Sequence, residues 1–253
     1  EKEYVFQIDH NFALMNLFTS KVNAKTLEHQ MINIWRIACS FDRNIRCYYQ
    51  YPHRLCLSGT PLNESLICLH KILPQFQKEN KLQKVQCIVL TDGEAAQLPY
   101  HKEVERHWED QPYLGTRNVN PNHVFFRDRK LGKTYPIGYS YHEFTDMLVQ
   151  NLKDHFPNTN FIGIRVMESR DASYFIKRYY NEWKEPEAYG KIMSEWRKKK
   201  TFTIKTSAYD AYFGLSASAL ANDSEFDVDD SATKAQIKRA FVKSLKTKKL
   251  NKK

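Results

Sequence analysis

The sequence predicts an α/β protein with a mostly parallel sheet, and three observations support this fold class. Short apolar runs rich in β-branched residues occupy residues 85–90 and 161–167. Helical spacings of apolar residues follow these runs after short connections, and this alternation is typical of α/β folds rather than of sandwiches or bundles. A chain of 253 residues with 42% hydrophobic content is also large enough to bury a core.

The amino-terminal part, to about Asn44, predicts two helices. The second of them, residues 25–41, carries one apolar stripe at helical spacing. A further helix is expected to follow Thr60, which stands at the N-cap position, with Pro61 as the first helical residue. Pro74 is expected to end that helix. The two predicted stripes consist of Leu27, Met31, Ile34, Trp35 and Ala38, and of Leu62, Leu66, Leu69 and Leu73.

The run at residues 85–90 has the composition of a strand covered on both faces, which is common in parallel sheets. It ends in Thr-Asp-Gly-Glu, so Asp92 is expected just beyond the carboxyl end of the strand, where open α/β sheets place their ligands. Asp92-Gly93 also suits an ordinary turn, as Thr60 suits an ordinary N-cap.

The rest of the chain predicts further elements. Ser140 and Glu143 form a capping box for a helix. Asp171 is expected to cap another helix, with Phe175, Tyr179 and Trp183 on one face. A hairpin insertion is expected over residues 124–138, with charged residues at its tip, and a half-exposed strand over 201–206. Residues 216–230 read as an acidic linker, and 231–253 as a basic amphipathic helix with Ile237, Phe241 and Leu245 in its stripe.

Composition limits the class of protein. Five cysteines without CxxC spacing indicate reduced thiols and a cytoplasmic location rather than a disulfide framework or a zinc knuckle. No apolar run approaches the roughly 20 residues of a membrane span, so no membrane partner is expected. The net charge of +10 permits attraction to nucleic acid, with much of the excess in residues 197–200 and 234–253. The first residues are not a signal peptide and lack an initiator Met, which favours a chain that begins inside a longer polypeptide.

Two short motifs carry a resemblance. Residues 58–64 (SGTPLNE) and 88–94 (IVLTDGE) resemble the second and third metal-site motifs of von Willebrand factor A domains. The resemblance is greatest to the CobT-like A-domain proteins, including those of large tailed phages, which pair with MoxR-type AAA+ ATPases. It implies a Rossmann-like, mostly parallel sheet with helices on both faces. A partial domain would cover residues 55–215, after a helical lead-in or insertion at 1–54.

The resemblance also implies a metal-ion-dependent adhesion site. In that family a divalent cation, usually Mg²⁺, is held by an Asp-x-Ser-x-Ser loop, a Thr hydroxyl and a later Asp. By motif these last two are Thr60 and Asp92, and Ser58 is a weaker candidate. The first loop does not occur in this sequence, where Asp171-Ala-Ser173 is the nearest approach. Truncation of the amino end is the preferred explanation, and degeneration of the site is the alternative.

The function expected from the resemblance is a metal-dependent protein-interaction module. It would dock an acidic protein ligand and act as adaptor for a MoxR-type AAA+ ATPase in remodelling or a chelatase-like role, in the host cytoplasm if the origin is a phage. The alternative is a nucleic-acid-binding accessory protein that uses the basic terminal helix. An enzyme is the less favoured class, because the sequence contains no HExxH, GxxxxGK[ST] or GxSxG motif.

Overall fold

The structure is a computed structural model that describes residues 2–42, 55, 59–108 and 111–218. It is an α/β structure with a mostly parallel four-stranded sheet in the order β1-β6-β8-β7. The chain divides into two compact units, the first formed by residues 1–87, 93–161 and 208–210, the second by the remainder. The elements are α1 (Ala24–Phe41), α2 (Leu62–Asn80), β1 (Val85–Thr91), β2 (Tyr100–Val104), β3 (Tyr113–Arg117), β4 (Phe126–Asp128), β5 (Lys133–Tyr135), α3 (Tyr141–His155), β6 (Thr159–Met167), α4 (Ala172–Tyr179), α5 (Pro186–Lys199), β7 (Thr201–Ile204) and β8 (Ala211–Ser216).

Helix α3 is the most buried element of the first unit. The predicted capping box is confirmed: the Ser140 hydroxyl accepts the Glu143 amide, and the Glu143 carboxylate accepts the Ser140 amide. Phe144, Val149 and Leu152 are fully buried along this helix. Because a capped, apolar-striped helix satisfies its own backbone and buries one face, local sequence was sufficient to predict it.

The prediction of two helices before Asn44 is half wrong. Helix α1 confirms the second, but the described residues before Asn23 form no helix. Phe6 instead makes an antiparallel bridge to Tyr100 at the edge of the β2–β3 hairpin, and its ring stacks on Phe126 at 5.5 Å. Pairing with a distant strand satisfies the backbone of this segment in place of local helical bonds.

The prediction that Pro74 ends α2 is wrong. Pro74 lies inside the helix, which continues to Asn80 and ends at Lys81 in the left-handed conformation. A proline removes one backbone hydrogen bond but does not forbid further turns. The Lys81 amide, bonded to the Gln77 and Lys78 carbonyls, closes the actual end.

The predicted hairpin insertion is confirmed as the antiparallel pair β4 and β5. Its charged residues do not all lie at an exposed tip, because the Asp128 carboxylate is mostly buried and bonds to α3. This contact was not predicted, since it joins residues far apart in sequence.

In the second unit, β6 and β8 are parallel and β8 pairs antiparallel with β7. Helices α4 and α5 both pack on the sheet face that carries Phe202 and Tyr212. Phe175 of α4 contacts both of these rings, and Trp196 of α5 contacts Phe202 at 5.5 Å. The predicted strand at 201–206 is confirmed as β7, which is four residues long.

Three details of this unit correct the sequence predictions. Strand β1 is not covered on both faces, because Ile88 and Leu90 are 59% and 67% exposed. Trp183 lies beyond the end of α4 and is 90% exposed, so it does not share the helix face of Phe175. Asp171 occupies the N-cap of α4 but makes no side-chain cap hydrogen bond.

Most of the predicted acidic linker and the whole predicted terminal helix lie outside the described residues. Within the part of the chain that the structure describes, no helix is long and apolar enough to cross a membrane.

Candidate functional site

Thr60 precedes α2, but it is not the N-cap. The helix begins at Leu62 with Pro61 at the cap, and no side chain makes a cap hydrogen bond there. The Pro61 carbonyl accepts both the amide and the hydroxyl of Ser65. The predicted N-cap role of Thr60 is therefore wrong by one residue.

The Thr60 side chain lies against Gly93 instead. A Cβ atom built on Gly93 would come within 1.9 Å of Thr60 Oγ1, a separation that no side chain tolerates. The hydroxyl is thus packed onto the loop backbone after β1. A glycine is required at position 93 because the Thr60 side chain lies so close to the backbone there. The sequence had suggested only a turn at Asp92-Gly93.

Asp92 immediately follows β1, which is the position that the sequence predicted, and its side chain is exposed. Glu94, two residues further along the chain, is half-buried. Ser58 lies outside the described residues.

Asn63 organises this end of α2, and sequence reasoning missed it. It is fully buried, its Nδ2 donates to the Ala96 carbonyl at 2.8 Å, and its Oδ1 accepts the Thr145 hydroxyl at 2.9 Å. One side chain therefore ties α2 to both the loop after Gly93 and to α3. The signal in the sequence was its position three residues before Leu66, which places both on the same helix face.

The first turn of α2 also carries negative charge. Burial raises the pKa of the Glu64 carboxyl, and the nearby charge of Asp9 raises it further. A half-buried carboxylate beside another acid is stabilised by a cation, because the cation offsets both desolvation and repulsion.

Thr60 and Asp92 supply hydroxyl and carboxylate oxygens, the donor chemistry that Mg²⁺ prefers. Among the described residues, however, no three His, Cys, Asp or Glu side chains are grouped to hold a metal ion. The donor types fit Mg²⁺, and the number of protein ligands is smaller than a tight site requires.

A second polar cluster lies where α2, α3 and the β4–β5 hairpin meet. Asp128 accepts four hydrogen bonds: from His155 Nε2 at 2.5 Å, from Asn151 Nδ2 at 2.8 Å, and from the Lys130 and Leu131 amides. Despite burial, these donors hold the pKa of the Asp128 carboxyl well below its usual range.

His70 of α2 completes this cluster, its ring meeting that of His155 edge-on at 4.8 Å. Burial lowers the pKa of His70, and the adjacent His155 lowers it further. The arrangement ties the hairpin to the helices and includes no nucleophile, so we interpret it as structural.

A surface cavity of about 610 Å³ lies at the opposite end of α2 from Thr60. It is open and polar, and it is lined by Gln77, Lys78, Leu82, Gln83, Lys84 and Asn158. Enclosed, mainly apolar clefts are typical of small-molecule sites, so this depression gives no support for a small-molecule enzyme.

Comparison of this chain with family models, curated proteins and solved structures gives no match. Any functional inference therefore depends on the residues and the geometry described above.

Proposed function

We propose that this protein is a metal-assisted protein-interaction module of the von Willebrand factor A type, with Thr60 and Asp92 as Mg²⁺ ligands. The observation that carries the proposal is the packing of the Thr60 hydroxyl on Gly93, the residue after Asp92. An ordinary N-cap Thr would bond the first helical amides, and Thr60 does not occupy the cap.

The buried Asn63 supports the same proposal. Its two hydrogen bonds hold the start of α2 against the loop at Ala96, so Thr60 is attached to a rigid element. A rigid position matters because Mg²⁺ requires near-ideal octahedral geometry.

Bound Mg²⁺ would present a hard positive charge to a carboxylate of a protein ligand. The adaptor role toward a MoxR-type AAA+ ATPase, in remodelling or a chelatase-like activity, is the partner assignment that the motif resemblance favours. The cytoplasm is the compartment proposed for it, because the described Cys68 and Cys87 are free thiols.

The proposal is tested by Mn²⁺ binding, followed by paramagnetic resonance, and by capture of a purified MoxR-type AAA+ ATPase in Mg²⁺ or in EDTA. Thr60→Val and Asp92→Asn should each weaken both Mn²⁺ binding and capture of the ATPase. The matched controls are Thr203→Val, an exposed strand Thr, and Asp171→Asn, an exposed Asp that follows β6 at the start of α4. Capture that is equal in EDTA and in both site variants would exclude the metal-bridged mechanism.

Nucleic-acid binding is a second candidate, favoured by the exposed basic run Arg197-Lys198-Lys199-Lys200 at the end of α5. Clustered surface cations attract phosphate chiefly through counterion release, so affinity should fall steeply with salt. Replacement of Lys198 and Lys199 by Gln should reduce the slope of log affinity against log salt. An unchanged slope would remove this run from the contact.

A further inference from the structure

Arg165 is a partly buried charged residue of the second unit. It lies on β6, where the strand register places it opposite Gly214 of β8. Its Cζ atom lies 5.4 Å from the centre of the Phe175 ring, so the guanidinium is on the side of the sheet that α4 covers. Its Nε and Nη1 atoms are buried, and neither has a hydrogen-bond partner among the described residues.

The guanidinium of Arg165 requires an acceptor because it keeps its charge. An Arg side chain stays protonated in proteins, and its N–H groups point outward in the plane of the guanidinium. The face of Phe175 attracts the cation but does not accept these in-plane N–H groups. A buried charged donor without an acceptor is costly, so this group is a candidate contact for a ligand. Because the residue as a whole is only half-buried, a ligand can reach it from solvent.

The carboxylates that lie nearest to Arg165 in the sequence are engaged elsewhere. Glu168 and Asp171, which follow β6, lie 2.9 Å and 3.8 Å from the Nε atom of Arg170. In the part of the chain that the structure describes, no carboxylate forms an ion pair with Arg165. The described fold therefore leaves this guanidinium available to another molecule.

We propose that Arg165 binds a carboxylate side chain of a protein ligand. A guanidinium and a carboxylate are both planar, carry one charge each and can form paired N–H···O hydrogen bonds. A phosphate dianion would instead meet the acidic residues that follow two neighbouring strands, Asp92 after β1 and Glu168 after β6. The inference goes beyond the proposed function, because this contact requires no metal ion.

An exposed aromatic residue of α4 favours a protein as the source of the carboxylate. Tyr174 precedes Phe175 in this helix and is 72% exposed. Tyr and Arg are enriched among the residues that contribute most to binding at protein interfaces. The helix that holds Phe175 against Arg165 thus also presents an aromatic contact for a peptide chain, and a peptide should bind more tightly than a free carboxylate.

The experiment follows the Nε–H resonance of Arg165 by ¹⁵N NMR spectroscopy of the full chain. EDTA is present throughout, so failure of this contact is distinguishable from failure of the proposed metal site. The probes are acetate, the blocked peptide acetyl-Gly-Asp-Gly-amide and inorganic phosphate, all at one ionic strength. Acetate and the peptide should shift the resonance to saturation, the peptide at the lower concentration. Its absence in Arg165→Lys assigns the resonance.

Thermal denaturation of variants checks the same contact. The peptide should raise the Tm of the wild-type chain, because a ligand that binds only the folded state stabilises it. Arg165→Met should lose this rise. Arg165→Lys, which keeps the charge without the planar group, should bind the peptide about tenfold more weakly and replaces the Met variant if that does not fold. Arg170→Met is the matched control and should keep the rise, because Arg170 is exposed and already paired with Glu168.

Four results would overturn the proposal. An Arg165 resonance that moves with none of the probes would show that no anion binds there. A stronger response to phosphate than to either carboxylate would favour a phosphate ligand. A response to acetate without a response to the peptide would favour a small carboxylic acid over a protein. A peptide-induced rise in Tm that persists in Arg165→Met would assign the binding to another residue.

Discussion

The buried Asn63 allows a quantitative test of how the candidate site is held. In Asn63→Ala, the Ala96 carbonyl and the Thr145 hydroxyl both lose their hydrogen bond to the buried Asn63, while the Thr145 hydroxyl still donates to the Tyr141 carbonyl at 3.3 Å. Each lost hydrogen bond removes about 1 kcal/mol, and no further penalty is added because Ala96 is exposed and Thr145 keeps its second acceptor.

The expected decrease in the free energy of unfolding is therefore about 2 kcal/mol. For a chain of this size that corresponds to a fall in Tm of roughly 4–8 °C. Because Asn63 aligns the first turn of α2, Mn²⁺ affinity should fall in the same variant at temperatures where it remains folded.

The assay is urea denaturation of Asn63→Ala, of Thr145→Val and of the double variant. The double-mutant cycle should give a coupling of about 1 kcal/mol, since the two side chains share one hydrogen bond. Asn33→Ala, on the exposed part of α1, is the control and should lie within about 0.5 kcal/mol of wild type. A coupling near zero, or a loss below 0.5 kcal/mol in Asn63→Ala, would refute the proposed clamp.

Three further predictions follow from burial and packing. Asp146→Asn should raise the free energy of unfolding by about 1–2 kcal/mol above pH 6, because burial raises the pKa of this carboxyl to about 6 and its ionisation opposes folding; urea titrations at several pH values measure this. Gly214→Ala should lower the free energy of unfolding by about 1–3 kcal/mol, because a Cβ would lie 2.3 Å from the buried Phe202 ring. Thermal denaturation measures this loss. His70→Asn should flatten the loss of stability between pH 7 and 5, because the lowered pKa of His70 favours its neutral form in the folded state.

The signs of the two pH effects are opposite. The raised pKa of Asp146 contributes stability below about pH 4, and this contribution is lost as the pH rises through about 6, so the Asn variant should match wild type most closely in acid. The lowered pKa of His70 contributes stability above pH 6.5 that is lost as the pH falls, in part because a protonated His70 would face His155. An Asp146→Asn gain that is independent of pH, or a His70→Asn curve parallel to wild type, would contradict these assignments.

The local sequence was sufficient to predict several helices and strands. The Ser140–Glu143 capping box and the apolar stripe after it predicted α3, and the β-rich runs predicted β1 and β6. These features depend on groups within one helical turn or one strand, so the residues that decide them are adjacent in the sequence.

Other features depended on contacts that have no local signature. Pro74 was predicted to end α2, but the helix continues past it to Asn80. The segment around Phe6 was predicted to be helical, but it pairs with Tyr100. The β2–β3 hairpin and strand β8 were not predicted, because their pairing partners decide them. The His70–His155–Asp128 cluster combines residues of three elements. Because these residues are far apart in the sequence, no local motif indicates the cluster.

The candidate site shows the same division. The sequence by itself determined the residue types, a hydroxyl before α2 and a carboxylate after β1, because helix starts and strand ends are encoded within a few residues. Only the tertiary structure decided that Thr60 lies on Gly93 rather than capping the helix, and that the buried Asn63 holds this arrangement. The physical reason is that close packing and the pairing of buried polar groups depend on neighbours that are distant in sequence.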